Sequence, residues 1–163
     1  MKIGVLSDMS GIFSGFGGRG SLVAATMAIE DFGGQLLGRP IEITSADHQN
    51  KPDIGVGIVR RWYDTEGVDV IVDVLNSGLA LPVQTLAQEK NKIVIFSGLN
   101  NKDLSGKLCS AHGFVWGYDS YALAKTAATG VMRAGGKSWY IITIDYASGH
   151  SLEQDTVSVV KAG

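Results

Sequence analysis

Short, largely apolar, β-branched runs alternate strictly with helix-period stripes along this chain, and few folds accommodate that pattern. The runs are KIGVLSD (2–8), IEITSAD (41–47), VDVIVDV (68–74), KIVIFSG (92–98), FVWGYD (114–119) and SWYIITID (138–145). Most are apolar nearly throughout, as strands covered on both faces tend to be. Between them, apolar residues recur at helical spacing. Leu22, Ala25, Ile29 and Phe32 form one stripe, and Ile54, Ile58 and Trp62 a second. Leu79, Val83, Leu86 and Ala87 form a third, Leu123, Ala127 and Val131 a fourth, and Leu152, Thr156 and Val159 a fifth. Gly33-Gly34 and Gly135-Gly136 are helix stops, while Ser77 and Asp119 are good N-cap types. Strand-helix alternation of this kind implies right-handed crossovers and a mainly parallel sheet in a three-layer α/β/α domain. Ligands of such sheets sit beyond the carboxyl ends of the strands, so the informative loops are 8–20, 47–53, 75–79, 97–106 and 145–151.

Composition excludes some functions. The net charge of −2 gives no electrostatic footprint for nucleic acid or an anionic membrane. No apolar run approaches the roughly 20 residues of a membrane span. The opening MKIGVLSDMSG reads as a strand rather than a signal peptide, so export would need a leader outside these residues. Cys109 is alone and forms no internal disulfide; it reads as a small buried or semi-buried thiol without special reactivity.

Gly15-Phe16-Gly17-Gly18-Arg19-Gly20 has the G-x-G-x-x-G spacing of a dinucleotide-binding turn. In such a turn the first glycine follows the strand directly. Here the run ends near Asp8 and residues 9–14 intervene. Asp47, the only imitation of the ribose-binding acid, lies further on than the usual ~20 residues. A nucleotide- or NAD-binding α/β enzyme domain is therefore the alternative reading. The remaining readings are a flexible glycine-rich loop and a loop that lets a small ligand approach backbone amides.

Other chemistries fit worse. Gly-Lys-Ser in RAGGKSWY (133–140) follows a helix and precedes a strand, the wrong order for a P-loop, and Val131 stands where its glycine belongs. Asp8 and Asp73 could supply the acids of a response regulator, but the required lysine is missing. No G-x-S-x-G occurs, and His48, His112 and His150 lie on separate segments without metal-ligand spacing, as loop or surface histidines. Asn76-Ser77-Gly78 and Ser97-Gly98-Leu99-Asn100 say more. Both place small polar side chains and free N–H groups at the carboxyl edge of the sheet, the first with a helix dipole behind it. They could hold a carboxylate without a cation, or be simply an N-cap and a turn.

Taken in order, IGVLSDMSGIFSGFGGRG, GRPIEITSAD, GVDVIVDVLNSG, FSGLNN and DYASGH resemble the type I periplasmic binding proteins. More narrowly they resemble the branched-chain amino-acid-type solute receptors of ABC transporters, with a likeness to receptors for aromatic or hydrophobic acids. Each motif is weak alone; their order over the whole chain is specific. The resemblance implies a flavodoxin-like strand order within a two-lobed clamshell. Residues 1–119 would be the first lobe. Residues 120–163 would be the opening helix-strand-helix of the second lobe, or the last βα unit of one compact domain. It further implies a non-enzymatic, periplasmic protein without cofactor that binds a small amino acid or carboxylate and docks on a membrane permease. Asn76, Ser77, Ser97, Gly98, Asn100 and Tyr146 would meet the ligand, with Phe16 closing over it from the glycine loop. The run at 138–145 would either extend the chain's own sheet or pair with a second copy in a homodimer, the outcome its exposed aromatics favour.

Overall fold

The computed structural model describes residues 1–99 and 101–163; Asn100 lies outside the described residues. The elements run β1 (Lys2–Ser7), α1 (Gly18–Asp31), β2 (Gln35–Leu36), β3 (Arg39–Pro40), β4 (Glu42–Asp47), α2 (Pro52–Asp64) and β5 (Val70–Asp73). They continue α3 (Ser77–Glu89), β6 (Ile93–Phe96), α4 (Lys102–Ser105), β7 (Gly113–Val115), α5 (Ser120–Arg133) and α6 (Ala147–Ala162). The central sheet has the order β4-β1-β5-β6-β7 with every pairing parallel. This is the expected flavodoxin-like order. Strands β2 and β3 form a small antiparallel hairpin through Leu37 and Gly38, both in the left-handed region, which the apolar pattern does not reveal.

Register explains the packing. Thr44, Gly4, Ile71, Val94 and Gly113 form one row across the sheet and share a face, because partners in a parallel ladder point the same way. Helices α2 and α3 cover this face, and their buried stripes, Ile58 and Trp62 on α2 and Leu79, Val83, Leu86 and Ala87 on α3, are those the periodicity predicts. Gly4 makes that contact possible: a Cβ there would lie 2.5 Å from Trp62 Cζ3. The opposite face carries α1 over β1 and β4. Toward the other edge it leaves Ile93 and Phe114 exposed and Val70, Val72 and Ile95 half-buried. Helix α1 is correspondingly loose, with Phe32 of its expected stripe exposed.

Helices α5 and α6 pack on each other. The fourth stripe is displaced from its expected position: Ser120, Ala124 and Ala128 are buried, while Leu123 and Val131 face outward. Small side chains allow close approach between helices, so the interface selects the small-residue face over the larger apolar one. The sixth run also departs from expectation. Residues 136–144 form no strand, because no neighbouring strand among the described residues offers a ladder. Exposure there still alternates with a period of two, with Trp139, Ile141 and Thr143 half-buried and Tyr140 (90%) and Ile142 (89%) open to solvent.

Candidate functional site

The segments after the carboxyl ends of β1, β5, β6 and β7 meet the start of α6 around a cleft of about 230 Å³. One wall is built by the loop after β1. Asp8 is fully buried and accepts the N–H of Gly11 at 2.7 Å and of Phe13 at 3.0 Å, folding the chain back in an Asx-type turn. A Cβ at Gly11 would press against that carboxylate at 2.5 Å, so the turn requires glycine. Asp47, at the end of β4, secures the same loop by accepting from Met9 N–H at 2.9 Å and Ser10 Oγ at 2.5 Å, and it accepts Gln49 N–H at 2.7 Å. Burial pushes the Asp47 carboxyl up, but these hydrogen bonds outweigh it and hold the group below its ordinary range. The loop thereby presents Phe13 and Phe16, packed edge to face with centroids 6.4 Å apart; Phe16 is 88% exposed at the mouth.

Most amides of the glycine fingerprint are already committed within the chain. Gly17 N–H bonds Phe13 O, Gly18 N–H bonds Ser7 Oγ at 2.8 Å, and Gly20 N–H bonds Gly17 O. With Phe16 N–H also bonded to Phe13 O, four of the six amides turn to partners in the chain, where a dinucleotide site would aim them at phosphate.

The floor comes from the loops after β5 and β6. Asp73 and Val74 have φ of 84° and 56°. For a β-branched valine this is a strained conformation costing on the order of 1–3 kcal/mol, held by the surrounding packing. The sharp turn carries Leu75, Asn76 and Ser77 over the sheet edge. Asn76, rather than Ser77, is the N-cap of α3, and its Oδ1 accepts Leu79 N–H at 2.9 Å. Ser77 is consequently the first helical residue, and its hydroxyl makes no hydrogen bond among the described residues.

The cleft brings together five of the seven predicted residues: Asn76, Ser77, Gly98, Tyr146 and Phe16. Asn100 cannot be placed because it lies outside the described residues. Ser97 is not among the lining residues; it is exposed and donates its hydroxyl to Asp73 Oδ1 at 2.7 Å. Phe13, Leu75, Leu99, Tyr118 and Ser148 also line the space, although sequence reasoning singled out none of them. Phe13, Leu75, Leu99 and Ser148 share loops with predicted residues, whereas Tyr118 lies near the end of the fifth run and carries no such signal. Tyr146 and Ser148 come from the start of α6, so residues beyond 119 supply part of the opposite wall. Among the described residues, no charged side chain lines the cleft.

Behind the floor lies a buried polar layer. His48 lies in the loop after β4, as expected, but is completely buried and not at the surface. Burial holds its imidazole below the ordinary histidine range, although Asp8, Asp47 and Asp73 pull the other way. His48 Nε2 and Asp73 Oδ2 are buried without a hydrogen-bond partner among the described residues. His112 Nδ1 is 2.9 Å from the Lys92 carbonyl oxygen, and exposed His150 pairs with Asp145 at 2.8 Å; neither lines the cleft. Cys109 is exposed, a correction to the buried or semi-buried setting expected for it. Helix α6 is tied back to the α4 segment by a Lys102–Asp155 ion pair, and Asp155 Oδ2 also accepts from Ser120 Oγ at 2.7 Å.

Comparison with known proteins extends this picture. A family profile described as periplasmic binding protein matches residues 1–163. A periplasmic binding protein from Burkholderia mallei is 43% identical over 99% of this chain and 43% of its own, with a TM-score of 0.95. A branched-chain amino acid ABC transporter periplasmic ligand-binding protein from Burkholderia xenovorans LB400 is 35% identical over 100% of this chain and 44% of its own, with a TM-score of 0.88. An ABC transporter solute-binding protein from R. palustris, solved with 4-hydroxybenzoate, shares the fold at 20% identity, covering 99% of this chain and 44% of its own, with a TM-score of 0.89. No curated protein matches. The chain spans less than half the length of these relatives. With the parallel sheet, the carboxyl-edge cleft and a profile match over the full 163 residues, the chain belongs to the periplasmic binding protein family.

Proposed function

We propose that this chain is the cleft-forming part of a non-enzymatic, extracytoplasmic solute-binding protein that delivers a small hydrophobic or aromatic carboxylate, or a small amino acid, to the permease of an ABC transporter. Residues 1–119 are the first lobe and residues 120–163 open the second. One observation carries the reading: an uncharged cleft walled by Phe13, Phe16, Tyr118 and Tyr146, onto which the N-terminus of α3 opens with the unbonded Ser77 hydroxyl. The aromatic walls suit a flat apolar body, and the helix terminus with its hydroxyl suits a carboxylate. Among structural neighbours, proteins solved with 4-hydroxybenzoate, benzoate and Leu belong to the same transporter class. Ser77, Gly98, Asn76 and Phe16 are the contacts we assign from the first lobe, with Tyr146 from the second. Ser97 contributes through Asp73, and Asn100 is a further contact on the strength of the family resemblance alone.

Calorimetric titration with benzoate, 4-hydroxybenzoate and leucine tests this. Binding of one of them should be weakened by about 1.5–3 kcal/mol, roughly 10- to 150-fold, in Ser77→Ala, the cost of one hydrogen bond to a charged group. Unchanged affinity in that variant would remove Ser77 from the site. A thermal-shift screen separates the alternative class: a ligand at about 100 times its Kd should add roughly 2.7 kcal/mol of stability. Stabilisation by NAD and by none of the acids would overturn the transport reading.

The unpaired segment 136–144 supports a homodimer of this chain. Its period-two alternation with exposed Tyr140 and Ile142 is that of a strand lacking a neighbour, and a second copy can supply one. Light scattering behind a sizing column should find about twice 17.2 kDa at high concentration. A single monomeric species at every concentration excludes the pairing.

A further inference from the structure

This inference rests on the ligand-cleft reading above and extends it to a residue that reading does not use, Asn50. Two amides and a phenol stand in series across the cleft wall, and their donor and acceptor ends are fixed from one end. Asn76 Oδ1 is committed to the Leu79 N–H as the cap of α3. Its Nδ2 must therefore face away from the helix, where it donates to Asn50 Oδ1 at 2.5 Å and approaches the Asn50 carbonyl oxygen at 3.4 Å. With Oδ1 used as the acceptor, Asn50 turns its Nδ2 to Tyr146 and donates to the phenol oxygen at 3.1 Å. The orientation of each amide thus follows from its partners, with no freedom left to flip.

Asn50 is held in place for this. Its N–H donates to Nδ1 of buried His48 at 3.1 Å, and its φ of 54° is a left-handed value that asparagine tolerates better than most residues. The loop between β4 and α2 is thereby joined to the start of α3 and to the residue that begins α6, the two helix starts that bound the cleft.

The chemical consequence lies at Tyr146. A phenol that accepts from Asn50 keeps its own O–H proton to donate elsewhere. Tyr146 lines the cleft, and its ring is steadied edge to face by Phe13 at 6.0 Å. We propose that Asn50 is a positioning and specificity-determining residue: the series Asn76 to Asn50 to Tyr146 presents the Tyr146 hydroxyl as a donor to the ligand. The site then takes a solute with an acceptor oxygen at that point and disfavours one that presents a donor there. All donors in the series point the same way, so each bond polarises the next.

Benzoate titration of the 163-residue chain and its variants tests the proposal. Tyr146→Phe and Asn50→Ala should each weaken binding by about tenfold, and the double variant should be no weaker than the weaker single, because both remove one pathway. Asn50→Asp tests the polarity. Its carboxylate still accepts from Asn76 but now also accepts the Tyr146 O–H, turning that proton away from the cleft. Affinity should fall below that of Asn50→Ala at neutral pH. Relative to the parent at the same pH, it should recover as the introduced carboxyl is protonated and regains a donor. A purely structural role would give the same loss at every pH. Parent-like binding by Asn50→Asp, or losses that multiply in the double variant, would overturn the proposal. If the parent binds neither benzoate nor leucine, the functional reading fails. The relay is then judged without ligand, from the Tyr146 13Cζ resonance identified by its loss in Tyr146→Phe. That resonance should move in both Asn50 variants, and a resonance unmoved in both overturns the relay.

Discussion

Trp62→Ala is expected to lower the unfolding free energy by about 3–5 kcal/mol, the cost of emptying a large buried aromatic site. Trp62 is 2% exposed and fills the space between α2 and β1, lying against Gly4. Urea denaturation with a fixed m-value checks this, since a changed midpoint at constant slope reports stability alone. Gly4→Ala adds an independent readout. Its new Cβ would lie 2.5 and 2.7 Å from two carbons of the indole ring, which has no room to yield, so overpacking should cost about 1–3 kcal/mol. The two effects should not add, because removing the indole also removes the clash. A loss below about 1 kcal/mol for Trp62→Ala would mean the α2 face is far less tightly packed than these contacts require.

Asp8→Ala should separate the glycine loop from the sheet. The substitution leaves the Gly11 and Phe13 N–H groups without their acceptor, at a cost of about 1–3 kcal/mol in stability. The functional effect is larger in kind, because Phe13 and Phe16 depend on that turn for their position. Benzoate affinity should drop more than tenfold, roughly 1.4 kcal/mol, and Asp8→Asn, which keeps one acceptor oxygen, should fall between the two. Equal affinity in Asp8→Ala and the parent would show that the loop closes without its carboxylate anchor.

Much of this was legible in the sequence, for physical reasons that differ by element. β1, β4, β5 and β6 follow from apolar runs that can be buried only on two faces, and α2 and α3 from stripes whose large residues have no other place to go. The five strands needed only their local pattern for type, and parallel crossovers for direction. The sixth run shows the limit. SWYIITID has all the local marks of a strand, yet 136–144 joins no ladder among the described residues, because a strand is completed by a neighbour that its own residues do not encode. Helix α5 shows a second limit: its periodicity was correct, but Ser120, Ala124 and Ala128 face the partner where Leu123 and Val131 were expected, since the contact distance to α6 decides which face fits.

The site divides along the same line. The sequence by itself pointed to the loops after β1, β5 and β6, because the carboxyl ends of a parallel sheet share one edge; that loop 47–53 stays out of the lining while Tyr118 and the start of α6 enter it was decided in three dimensions. It also pointed to aromatic, small and polar side chains there; that the charged residues of the same loops stay out of the lining was decided by the fold. Only the tertiary structure decided how each polar group is used. Asn76 became the cap of α3 and left Ser77 free, Ser97 gave its hydroxyl to buried Asp73, and the glycine loop used its own amides where a phosphate would need them. Hydrogen-bond commitments of this kind run between segments as distant as Asn50 and Tyr146, so they depend on where the chain returns in space.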